Sequence, residues 1–104
     1  MPTAQGIAIR NGANRITLVF VIDDLQVTFS AAINPPIQPF SVNDATITYN
    51  SLDDLTSTHS ISGQIGPETF SLSFDNGVTA EGNLSPPGVS PASTVHGSGS
   101  WEQN

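Results

Sequence analysis

Few side chains in this chain are equipped for acid–base or nucleophilic chemistry. The imidazoles are His59 and His96, the cations are Arg10 and Arg15, and there is no lysine or cysteine. Without cysteine there is no thiol nucleophile, thiolate metal site or disulfide. A serine hydrolase needs its nucleophile on a strained turn of the G-x-S-x-G kind. "GSGSW" at 97–101 is not that pattern and reads as strand. No H-x-H or H-E-x-x-H spacing offers zinc ligands. The pairs Asp23–Asp24 and Asp53–Asp54 lack the spaced carboxylates and closing glutamate of a calcium loop. Glu68, Glu81 and Glu102 read as solubilising charges rather than as a paired acid and base. No catalytic residue, metal or cofactor is therefore assigned.

Binding is better supplied. Trp101 and Tyr49 each join a large apolar area to one polar handle, which suits a sugar face or a partner surface. His96 shares a polar strand face with Ser98 and Ser100. Arg10 carries a guanidinium able to grip a carboxylate. These four, Trp101, Tyr49, His96 and Arg10, form the expected ligand-binding set.

The elements that must position them are strands. Alternation with period two recurs along the chain. Ile16, Leu18, Phe20 and Ile22 take one face of "RITLVFVID", and Thr17, Val19 and Val21 take the other. Leu25, Val27, Phe29, Ala31 and Ile33 alternate with Gln26, Thr28 and Ser30. Similar patterns place Ile47 and Tyr49, then Phe70, Leu72 and Phe74, then Val78, Ala80 and Leu84 inward. In the closing "TVHGSGSWEQ", Val95, Gly97, Gly99 and Trp101 share the apolar face. Glycines there imply a sharp bend or room for something large opposite.

Turn chemistry separates these runs. "DNG" at 75–77 has the residues of a tight type I′ hairpin, "DDL" at 23–25 is a short reversal, and "NGAN" and "GPE" are further turns. "NPPIQP" and "SPPGVSP" are proline-rich loops, because proline cannot donate into a ladder. No stretch carries a helical stripe. A single turn at 51–55 is expected, with Ser51 as its cap.

The expectation is one all-β domain over residues 1–104. It has about eight strands, at 6–10, 15–23, 25–33, 40–50, 57–65, 69–75, 78–84 and 93–102. Short connections predict a single antiparallel meander, closed or strongly curled into a β-barrel, with the last strand sealing against the first. A two-layer β-sandwich is the alternative.

Charge narrows the partners. Nine carboxylates against two arginines give a net charge of -7. Nucleic acid and anionic membrane surfaces both require cations, so neither is an expected partner. "MPTAQGIAIRNGANR" has no basic region leading into an apolar core, and no apolar run is long enough to span a membrane. The reading is of a soluble protein without a signal peptide, cytoplasmic or exported by another route.

The functional expectation is a non-catalytic binding module, a small acidic barrel for a carbohydrate or a small apolar molecule. One alternative is a proximity-type enzyme, cyclase-like or isomerase-like, with an apolar cavity offering Tyr49, His59 and Arg10. Another is a self-associating structural or interaction domain, because Val19 and Val21 are apolar on the face opposite the core stripe. A homo-oligomer follows from that reading.

Overall fold

The computed structural model describes residues 2–12, 14–34, 36–85, 88–89 and 91–103. Ala13 of the "NGAN" turn and the prolines Pro35, Pro86 and Pro87 lie outside the described residues. Eight strands form: β1 Thr3–Gly12, β2 Arg15–Ile22, β3 Leu25–Asn34, β4 Ser41–Thr48, β5 Thr58–Ile65, β6 Thr69–Phe74, β7 Thr79–Asn83 and β8 Ser93–Gln103. They close into a barrel in the order β1-β2-β3-β8-β5-β6-β7-β4, with every neighbouring pair antiparallel. Among the described residues no helix is long and apolar enough to cross a membrane.

The barrel is closed as expected, but the route of the chain is not a simple meander. Strand β4 leaves β3 and pairs with β1 and β7, while β8 inserts between β3 and β5. The last strand therefore seals against β3 and β5, not against β1. Each half follows the spatial order of a Greek key, 4-1-2-3 and then 8-5-6-7. One departure, from β4 to β5, spans residues 49–57 at the other end of the barrel; the other two fall at the proline-rich connections, residues 35–40 and 84–92. Tight turns force neighbours to pair, whereas these longer runs let the chain cross one end of the barrel. Each crossing places one apolar side chain over that end: Ile37 and Val89 are both buried.

The alternation does what it predicts. Every second residue of β2 and β3 from Ile16 to Ile33 points inward, and the buried set among the described residues is wholly apolar. At the opposite end, Phe29, Phe74 and Trp101 meet in one cluster. Ring centroids are 4.8 Å apart for Phe29 and Phe74, 4.9 Å for Phe29 and Trp101, and 5.5 Å for Phe74 and Trp101. These rings come from β3, β6 and β8, so they pack across the barrel axis as well as between neighbours.

A 3-10 turn at Leu52–Leu55 lies at this end and buries Leu55. Ser51 does not cap it through its side chain. Instead the Asp54 carboxylate accepts the Asn50 N–H at 3.2 Å, and Gln103 Nε2 donates to the carbonyls of Leu52 and Leu55, each at 3.0 Å.

Two turns exchange their expected roles. Asp23 and Asp24 both have positive φ, 50° and 66°, between the paired Ile22 and Leu25, so the two-residue turn of the type I′ kind falls there. At "DNG" only Gly77 has positive φ, and the Phe74 carbonyl accepts the Gly77 N–H at 3.1 Å. That is a three-residue loop ending in a left-handed glycine.

The paired glycines of β8 are explained by backbone proximity. A β-carbon on Gly97 would run into the Ala32 carbonyl oxygen, and one on Gly99 into that of Ser30. Strand β8 thus coils over β3 more closely than any side chain permits. Gly97→Ala is expected to destabilise the fold by about 1–3 kcal/mol, lowering Tm by roughly 5–15 °C. Ser98→Ala, on the exposed face, should shift it by less than about 2 °C in the same calorimetric scan.

Candidate functional site

The four residues singled out for binding do not converge. Trp101 and Tyr49 are buried, at 6% and 7% exposure, so neither presents a platform to solvent. The Trp101 indole N–H is buried and meets no acceptor among the described residues. Arg10 lies at the crossing end of β1, half-buried, where Nη1 donates to the Ile37 carbonyl at 3.3 Å. His96 is exposed on the outside of β8, opposite Asn34 and Ser62 in the neighbouring strands. The barrel axis between them is occupied by aliphatic and aromatic side chains.

The other histidine is tied into a clasp. His59 Nδ1 lies 2.7 Å from Asp75 Oδ1, and Nε2 lies 2.8 Å from the Thr56 carbonyl. The second Asp75 oxygen accepts the Ser60 backbone N–H at 3.0 Å and the Ser60 hydroxyl at 3.2 Å. Serine, histidine and aspartate are thus adjacent, but not in the order that activates a nucleophile. The hydroxyl donates to the carboxylate, and both ring nitrogens face acceptors, so no imidazole nitrogen is left to take a proton from serine. The arrangement instead pins the β6–β7 turn to the start of β5.

The outer surface offers a more open arrangement. Strands β4, β7 and β6 lie side by side, with Asp44 opposite Asn83, Thr46 opposite Glu81, and Glu81 in turn opposite Ser71. All of these alternate outward, and they line a surface groove of about 430 Å3. Thr69, Phe70 and Gly82 complete its lining. Thr46 Oγ1 accepts from Gln5 Nε2 at 3.1 Å. Asp44, Ser71, Glu81 and Asn83 engage no side-chain partner among the described residues. Across Ser71 the groove adjoins a second hydroxyl-rich one of about 480 Å3, where Ser62, Gln64, Ser73 and Thr94 face outward from β5, β6 and β8.

Two carboxylates, a carboxamide and several hydroxyls on one face form a set of acceptors with interspersed donors. That set matches a ligand bearing adjacent hydroxyl groups. Alternation assigns Glu81, Asn83 and Ser71 to outward rows, but the groove depends on β4 lying beside β7. That pairing joins segments far apart in sequence and leaves no local pattern. Comparison with protein-family profiles, with curated proteins and with solved structures found no match.

The clasp carries a pH dependence with a definite sign. Hydrogen bonds from the Ser60 backbone N–H, then from His59, hold the Asp75 carboxyl below its ordinary 3.8. A carboxylate depressed in the folded state stabilises the fold above its unfolded value, and that contribution is lost as pH falls through the folded value. Thermal melts of the protein and of Asp75→Asn from about pH 6 to about pH 2 check this. The parent should melt higher above about pH 4, and the difference should shrink towards the acid end.

Proposed function

We propose that the protein is a non-catalytic binding module that holds a polyhydroxylated ligand, a glycan, in the groove across β4, β7 and β6. The observation that carries this reading is the convergence of Asp44, Glu81 and Asn83 with flanking hydroxyls, their side chains without partners among the described residues. A carboxylate can accept from two neighbouring hydroxyls of a sugar, and a carboxamide can donate and accept at once. The apolar filling of the barrel weighs against a small apolar ligand held inside and against an enzyme working in an apolar cavity. The engagement of both His59 nitrogens weighs against acid–base catalysis at that residue.

The groove is shallow and has no exposed indole to stack on a sugar ring, so affinity falls in the millimolar range. The test is an amide-resolved NMR titration with a panel of neutral and amino sugars and their oligomers, up to about 50 mM. Shifts should concentrate at Thr46, Ser71, Glu81 and Asn83. Asp44→Ala and Asn83→Ala should each weaken binding by about 10-fold or more, as expected for losing a hydrogen bond to a charged or doubly bonded group. Their Tm should stay close to that of the parent. An absence of shifts with the whole panel, or shifts confined to the crossing end, would refute the proposal.

A further inference from the structure

The outer face of β1 and β2 differs in kind from the glycan groove. Val21 is 58% exposed, Ile7 41% and Ile9 38%, and they surround the half-buried Val19. Ile7 lies opposite Val19, and Ile9 opposite Thr17, so the four apolar side chains form one continuous patch. All nine carboxylates of the chain lie outside β1, β2 and β3. In a protein of net charge -7 this is the side on which two copies approach with least repulsion.

The ends of the patch are what identify its occupant. The outward row of β2 runs Arg15, Thr17, Val19, Val21, and Asp23 opens the turn that follows the strand. Arg15 and Asp23 are exposed, and neither side chain has a hydrogen-bond or ion-pair partner among the described residues. Arg15 stands four residues before Val19, roughly 13 Å along the strand, and Asp23 stands four residues after it, just past the strand end. A two-fold axis lying in the interface above Val19, parallel to the sheet and perpendicular to β2, therefore lays the Arg15 end of one copy over the Asp23 end of the other, twice, with the apolar side chains facing between them. A two-fold interface must be complementary to itself, and this row is. The closed barrel has no free strand edge, so association proceeds face to face rather than by strand addition.

We infer that the outer face of β1 and β2 is the contact of a two-fold homodimer, centred on Val19 and closed at each end by an Arg15–Asp23 ion pair. The inference stands apart from the glycan reading, because the groove lies on other strands and stays open in such a dimer.

The experiment is sedimentation velocity on the full chain from about 1 µM to about 1 mM. A reversible rise from monomer to dimer mass is expected. Val21→Glu, at an exposed position that leaves the core untouched, should weaken the dimer by at least about tenfold with Tm unchanged. Arg15→Glu and Asp23→Lys should each weaken self-association by about tenfold, and an equimolar mixture of the two should recover dimers, because the opposed charges are then matched at both ends. A monomer at every concentration would overturn the inference. So would a dimer indifferent to Val21→Glu, or a mixture that dimerises no better than its components.

Discussion

Closure of the sheet is the constraint on which everything else rests. A sheet of eight strands left open would present two rows of unpaired N–H and carbonyl groups. Here β4 and β8 supply the pairings that tight turns cannot, β4 joining β1 to β7 and β8 joining β3 to β5. Both strands follow a proline-rich crossing at the same end of the barrel, so the two halves solve the same problem in the same way. Closure at this diameter demands strong coiling, and coiling presses backbones together. That is why Gly97 and Gly99 stand on the apolar side of β8 against the carbonyls of Ala32 and Ser30.

A barrel closed this tightly has its interior claimed by packing. The Phe29–Phe74–Trp101 cluster fills one end, and Ile37 and Val89 cover the other. Chemistry is displaced to the outside, where the two halves diverge. The outward rows of β1 and β2 carry the aliphatic Ile7, Ile9, Val19 and Val21, whereas those of β5, β6 and β7 are built from serine, threonine, asparagine, glutamine and glutamate. The apolar patch of β1 and β2 and the groove across β4, β7 and β6 lie apart around the barrel and share no residue.

Much of this was legible in the sequence, and the limit has a physical cause. Period-two alternation reports which way each side chain points, so Ile16, Leu18, Phe20, Val27 and Phe29 could be assigned inward, and Val19 and Val21 outward. Alternation says nothing about which strands adjoin. The meander expectation failed at β4 and β8 because proline-rich segments measure a length but not a direction. The same blindness scattered the binding set. Trp101 and Tyr49 read equally well as platform or core, and only the packing against Phe29 and Phe74 makes Trp101 core. Glu81 reads from the sequence as a solubilising charge and Asp44 carries no local signal, because their shared neighbourhood is created by a non-local pairing.

The most direct test of the account is amide hydrogen exchange resolved along all eight strands. In a closed barrel β4 and β8 have hydrogen-bonded neighbours on both sides, so their amides should be protected to the same degree as those of β2 and β6. Protection should persist on both faces of the β1–β4 and β5–β8 seams. Exchange at unprotected rates along one side of any strand would reveal an open edge. It would contradict the closed two-Greek-key barrel, and with it the division of the outer surface into two faces.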